Sequence, residues 1–97
     1  MSFAVEFAES VSRQLMSLTR AERVRVLDAV ERQLLHEPLR ETRNRKPLRP
    51  NPIAPWELRV GPMRVFYEIA PGRVVRVLAV GKKGRNALRI GGREIKL

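Results

Sequence analysis

Between Trp56 and Val80, apolar and polar residues alternate in three successive runs, "WELRV" (56–60), "MRVFYEI" (63–69) and "RVVRVLAV" (73–80). Gly61–Pro62 and Pro71–Gly72 stand between the runs as turn signals. A period of two puts every second side chain on one face of a strand. Three such strands joined by two tight turns predict an antiparallel meander. Upstream the period changes. "FAVEF" (3–7) alternates and predicts a short strand, with Phe3, Val5 and Phe7 on one face. From Ala8 to about Ser17, Val11, Leu15 and Leu18 follow a helical spacing. "TRAE" then has Thr19 in position for an N-cap and Glu22 three residues on, the capping-box pattern. It predicts a second helix running to about Leu35, with Val26, Leu27, Val30 and Leu34 as its buried stripe and Pro38 beyond its end.

Two-residue turns would fix the register of the meander. Val60 then faces Met63, Arg59 faces Arg64, Leu58 faces Val65, Arg64 faces Ala79 and Phe66 faces Val77. One face carries Trp56, Leu58, Val60, Met63, Val65, Tyr67 and Ile69, continued by Val74, Leu78 and Val80, and needs the helices to cover it. The other carries Glu57, Arg59, Arg64, Phe66 and Glu68, continued by Val75, Val77 and Ala79. It is half polar and is expected to be open to solvent or to a ligand. A longer turn slips the register by one residue and exchanges the faces. The fold class is α/β in the α+β sense: an N-terminal strand and helical hairpin packed on a mainly antiparallel β-meander.

Arg59 opposite Arg64 is a like-charge pair, unfavourable by about 0.2–1 kcal/mol on the scale of cross-strand pairs. Either Glu57 or Glu68 compensates it, or the two guanidiniums together bind a phosphate.

Charge widens that question to the whole chain. Lys and Arg number 20 against 10 Asp and Glu, a formal +10 on 97 residues, and most of the cations are Arg. A chain of this length makes one domain, 1–97. Such a bias points to a polyanionic partner, nucleic acid or a strongly acidic protein; the competing reading is a solvated surface kept for solubility. With no cysteine there is no disulfide framework and no zinc–thiolate site. The single histidine, His36, falls in the last turn of the second helix, where it compensates the dipole more readily than it catalyses. No apolar run reaches the ~18 residues of a membrane span. The N-terminus lacks the pattern of a signal peptide, so a cytoplasmic location is expected.

Residues 38–55 hold five prolines and no hydrophobic period. They read as a long irregular connection. It is either a mobile linker or a proline-stiffened loop that presents Lys46 and Arg49 to a polyanion. After the third strand comes "GKKGRN" (81–86), where Gly81 is expected to break the strand and Lys82, Lys83 and Arg85 follow. The tail 86–97 has a Gly91–Gly92 turn signal and the apolar residues Ile95 and Leu97, and is either a small hairpin or a pendant tail.

Taken in order, the strand, the helical hairpin, the basic proline-rich loop, "WELRVGPMRVFYEI" and "VRVLAVGKK" resemble the RelE/ParE superfamily of bacterial type II toxins, over nearly the whole chain and most closely from Trp56 to Lys83. The resemblance implies a toxin neutralised by a cognate acidic antitoxin, with operator DNA met only through that complex and no membrane partner. For RelE-like members it implies metal-free, cofactor-free cleavage of mRNA on the ribosome through the 2′-hydroxyl. Arg59 and Arg64 match the arginines of the paired strands, Lys83 matches a basic residue of the turn after them, and Arg85 stands near the place where many nucleases of the family have His or Tyr. These four are the candidate catalytic residues. Lys46, Arg49 and Lys82 are candidate RNA contacts, the first two by basic character alone. The stretch after Gly81 holds neither His nor Tyr, and arginine is a poor proton shuttle. Three readings stay open: a ribosome-dependent endoribonuclease, a ParE-like poison of DNA gyrase that works by contact, and a non-toxic antitoxin-binding module.

Overall fold

The computed structural model describes residues 2–85 and 87–96. In chain order the elements are β1 (Ala4–Phe7), α1 (Val11–Met16), α2 (Arg20–Leu34), β2 (Arg45–Pro47), β3 (Trp56–Val60), β4 (Met63–Ala70), β5 (Val74–Lys83), β6 (Leu88–Ile90) and β7 (Arg93–Ile95). They form one sheet in the order β2-β3-β4-β5-β6-β7, antiparallel along this path. On its edge away from β4, β5 takes two partners. Its first half pairs with β1 in parallel, Ala4 to Phe7 against Val74 to Val77, and its end pairs with β6.

α2 starts where the capping box places it. The Glu22 N–H donates to Thr19 Oγ1 at 3.2 Å, and the Thr19 N–H donates to Glu22 Oε1 at 2.9 Å. Two of the helix's four orphan donors are thereby satisfied. Val26, Val30 and Leu34 are buried against the sheet, where they meet Leu58, Met63, Val65, Tyr67, Val75 and Val77. Leu27 departs from the expected stripe. It is 42% exposed and lines a shallow apolar groove with Phe7 and Leu35.

The β3–β4 register is the expected one: Val60 faces Met63, Arg59 faces Arg64 and Leu58 faces Val65. The β4–β5 register is not. The connection holds three residues, because Arg73 adopts φ 60 beside Gly72 at φ 83. A three-residue loop closing on a left-handed residue is a common hairpin connection. The added residue slips β5 by one place, so Val75 and Val77 turn toward the helices and Val74 does not. A bulge opposite Phe66 and Tyr67 then shifts the register again. Beyond it Phe66 faces Ala79, Val65 faces Val80 and Arg64 faces Gly81, while Leu78 joins the packing on the far side.

That far side is not open along its whole length. Phe66, Ala79, Ala54 and Leu88 form a second buried cluster, covered by Leu48 and Ile53 of the proline-rich loop and by Ile90 and Ile95 of the C-terminal hairpin. A fully apolar Phe66 needs such a cover. The loop supplies it by being ordered rather than irregular. Arg45–Pro47 pairs with β3, the Leu48 N–H donates to the Pro55 carbonyl at 2.8 Å, and Asn51 holds the turn between them. Its Oδ1 accepts from the N–H groups of Ile53 (2.8 Å) and Ala54 (3.0 Å), the local bonding at which asparagine excels in turns.

Gly81 does not break β5, which continues to Lys83. Glycine is needed there for another reason: a Cβ on Gly81 would lie 2.6 Å from the carbonyl oxygen of Arg89 as β6 crosses. The tail is a hairpin, β6–β7, turning through Gly91 (φ 60) and Gly92 (φ 84). Leu97 lies outside the described residues.

Candidate functional site

Alternation along the strands assembles the site. Glu57 and Arg59 share the far face of β3, away from the helices. Lys46 stands opposite Glu57 on β2, and Arg64 stands opposite Arg59 on β4. Gly81 is opposite Arg64, so Lys83, two residues further along β5, points the same way. Lys46, Arg59, Arg64 and Lys83 therefore share one sheet face across four adjacent strands, with Glu57 among them.

Glu57 is only 7% exposed and touches both arginines. Arg59 Nε lies 3.2 Å from its Oε2, and Arg64 Nε lies 3.6 Å from its Oε1. This carboxylate offsets the like-charge pair that the register creates. The arginines are not equivalent. Arg64 Nη1 also donates to the carbonyls of Gly61 (2.7 Å) and Met63 (2.9 Å), and its side chain is 12% exposed. Burial pulls its pKa below the usual arginine value; Glu57 opposes that shift and Arg59 adds to it. Among the described residues the Arg59 side chain bonds to Glu57 alone and leaves 42% of itself in solvent. Arg64 thus braces the β3–β4 turn, and Arg59 presents charge to whatever docks. The same turn is closed from the helix side: a Cβ on Gly61 (φ 59) would lie 2.8 Å from Arg25 Nη2.

The other candidates scatter. Lys82 faces the helices, and its Nζ lies 2.6 Å from Glu22 Oε2 at the start of α2. It is separated by the sheet from Lys83. Arg49 lines an open cleft of about 390 Å³ in the proline-rich loop, with Glu68 and Leu78. Arg85 is exposed in the connection between β5 and β6. Tyr67 is a framework residue. Its hydroxyl donates to the Pro38 carbonyl at 2.6 Å, its ring stacks on Trp56 at 6.1 Å, and burial drives its pKa far above the ordinary tyrosine value. His36 is exposed just past the end of α2.

Sequence reasoning missed Arg45. Its Nη1 donates to the carbonyls of Gln33 (2.9 Å) and Glu37 (2.6 Å) at the end of α2, and so ties the loop to the helix. A lone arginine in a basic stretch carries no signal that would single it out.

A row of guanidinium and ammonium groups can bind phosphates and stabilise charge building on them. Among the described residues no group of three or more His, Asp or Glu is placed to hold a metal ion.

The model of the ParE toxin family of type II toxin–antitoxin systems (parDE) matches residues 5–87, a span that includes both helices and every sheet-face cation. The chain belongs to this family. Two solved structures are similar to the toxin. One is the RelBE2 toxin–antitoxin complex from Mycobacterium tuberculosis, at 27% identity and TM-score 0.72, covering 86% of this chain and 100% of that one. The other is the archaeal RelE–RelB complex from Pyrococcus horikoshii OT3, at 24% identity and TM-score 0.68, covering 88% and 99%; at that identity it speaks to the fold alone. A comparison with curated protein sequences gives no match. The toxin is therefore a RelE/ParE superfamily member with the α+β fold its sequence suggests.

Proposed function

We propose that this toxin acts on mRNA held by the ribosome, gripping the RNA backbone with its cationic sheet face and cutting it slowly. The observation that carries the reading is the convergence of Lys46, Arg59, Arg64 and Lys83 on one face. In the proposed step the 2′-oxygen attacks the adjacent phosphorus, the bond to the 5′-oxygen breaks, and a proton passes from the 2′-hydroxyl to that leaving oxygen. The products are a 2′,3′-cyclic phosphate and a 5′-hydroxyl. Arg59 and Lys83 stabilise the charge gathering on phosphorus; Arg64, through Glu57, positions Arg59. Lys46, Arg49 and Arg85 hold flanking phosphates. The cut is slow because, among the described residues, the face offers no histidine or tyrosine to shuttle a proton near neutral pH: Tyr67 packs on the helix side and is committed to Pro38, Glu57 is held by two arginines, and arginine stays protonated.

A cognate acidic antitoxin is the second partner. The net charge of +10 and the likeness to a toxin–antitoxin complex at 27% identity support it. The missing proton shuttle also favours a second reading, inhibition of DNA gyrase by contact. Incubation with programmed ribosomes, with transcript ends mapped, tests the proposal. Cuts carrying a 5′-hydroxyl support it. Intact transcripts together with gyrase trapped on cleaved DNA would replace it with the second reading.

A further inference from the structure

Among the described residues, eight arginines have no hydrogen bond or ion pair from their side chains: Arg13, Arg20, Arg25, Arg43, Arg49, Arg85, Arg89 and Arg93. Arg13, Arg89 and Arg93 are grouped. Arg13 of α1 and Arg93 of β7 line a single cleft of about 500 Å³ between the helix and the C-terminal hairpin. Arg89 and Lys82 line an adjoining hollow of about 150 Å³, and Ser17 belongs to both. Neither lining contains a carboxylate.

Folding does not favour this arrangement. Cations on facing walls repel; of the acids near them, Glu22 already holds Lys82 and Glu94 stands opposite Arg89 on β7. The walls are nevertheless built to keep the gap. The Gly91–Gly92 turn, at φ 60 and 84, brings the hairpin up to α1 without side chains at its tip. A Cβ on Gly91 would stand 3.6 Å from Gln14 Cγ, and Gln14 itself is fixed by the Val80 N–H, which donates to its Oε1 at 2.8 Å.

We propose that this cleft is a second phosphate-binding site, which holds the backbone of single-stranded RNA away from the sheet face. Guanidinium forks match phosphate oxygens in pairs. A nucleic acid strand carries a charge at every residue, so one strand can meet Arg13 and Arg93 in the first hollow and Arg89 in the next. An acidic peptide would gain most of its affinity from apolar anchors. By residue the lining is mostly serine, glycine and arginine, with Met16, Leu18 and Ile90 among them, and the groove of Val5, Phe7 and Leu27 lies elsewhere. The choice of RNA rests on the proposed function; the cleft as an anion site does not.

The test is fluorescence anisotropy of a labelled single-stranded RNA oligonucleotide with the purified protein across a salt series. For single strands each lost phosphate contact lowers the slope of log affinity against log salt by about 0.7. Arg13→Gln with Arg93→Gln should lower it by about 1.4, Arg89→Gln by about 0.7, and Arg13→Lys with Arg93→Lys should keep most of it. Arg59→Gln with Lys83→Gln, on the sheet face, should act additively. If the cleft variant weakens binding and the sheet-face variant does not, the cleft stands and the RNA reading of the sheet face falls. An unchanged slope for the cleft variant in a folded protein would overturn the proposal. So would a variant that binds RNA normally but loses poly-glutamate, which would make the cleft a peptide site.

Discussion

Arg59 and Arg64 stand directly opposite each other on β3 and β4, with Glu57 ion-paired to both, yet Arg64 is largely covered and bound to the turn while Arg59 is nearly half in solvent. The pair is a division of labour between bracing and presentation. Replacing Arg64 with Ala removes the donor to the part-buried Met63 carbonyl and to that of Gly61, and leaves Glu57 with one partner. We expect a loss of about 1–3 kcal/mol in urea unfolding. Arg59→Ala should cost less than about 1 kcal/mol, since it removes a part-buried ion pair, leaves Arg64 beside Glu57 and relieves a repulsion. Equal losses from the two variants would show that Arg59 is also a framework residue.

Glu57 is the keystone of the same arrangement. Glu57→Gln keeps the shape and removes the charge, leaving two opposed guanidiniums uncompensated. Stability should fall by about 1–3 kcal/mol, and the deficit should shrink in the double variant with Arg59→Ala. A double-mutant cycle with no coupling would mean that the contacts at 3.2 and 3.6 Å contribute nothing.

Tyr67 has a structural task, and its loss should read as one. Tyr67→Phe leaves the Pro38 carbonyl without its donor in a buried place, at a cost of about 1–3 kcal/mol. At equal folded fraction, the growth arrest caused by the toxin should be unchanged. Loss of toxicity in a fully folded Tyr67→Phe protein would return Tyr67 to the list of functional groups.

Acid should loosen the join between α2 and β5. Lys82 first, then the Thr19 backbone, hold the Glu22 carboxyl below its ordinary value of 4.5. A lowered folded-state pKa contributes stability that is fully present above the unfolded value and is lost as pH falls through the folded one. Thermal melts should therefore decline as pH drops below about 4.5, and Glu22→Gln should flatten part of that decline. The same decline in both proteins would place the acid sensitivity elsewhere, with Glu37 beside Arg40 as the next candidate.

The fold was legible where local chemistry determined it. Gly61 and Pro62 pinned one hairpin, so the Arg59–Arg64 facing pair followed from the sequence. Thr19 and Glu22 announced α2. The β4–β5 turn escaped because Arg73 takes a left-handed conformation, which nothing in an arginine advertises. Strand β2 escaped because three residues ending in proline carry no period and find their partner only in the tertiary fold. Of the cations singled out from the sequence, Lys46, Arg59, Arg64 and Lys83 share the sheet face, while Lys82, Arg49 and Arg85 lie elsewhere. Reading Gly81 as a strand break hid the alternation that sends Lys82 and Lys83 to opposite faces.

Single-turnover cleavage of mRNA on programmed ribosomes, by the wild type and by Arg59→Ala and Lys83→Ala, tests the central claim most directly. A slow cut leaving 5′-hydroxyl ends, reduced at least tenfold by either substitution in a folded protein, is the predicted result; a pre-organised donor to a developing charge accounts for losses of that size and more. Transcripts left whole by a wild-type toxin that still arrests growth, or a fast cut indifferent to both substitutions, would contradict the assignment of RNA cleavage to the cationic sheet face.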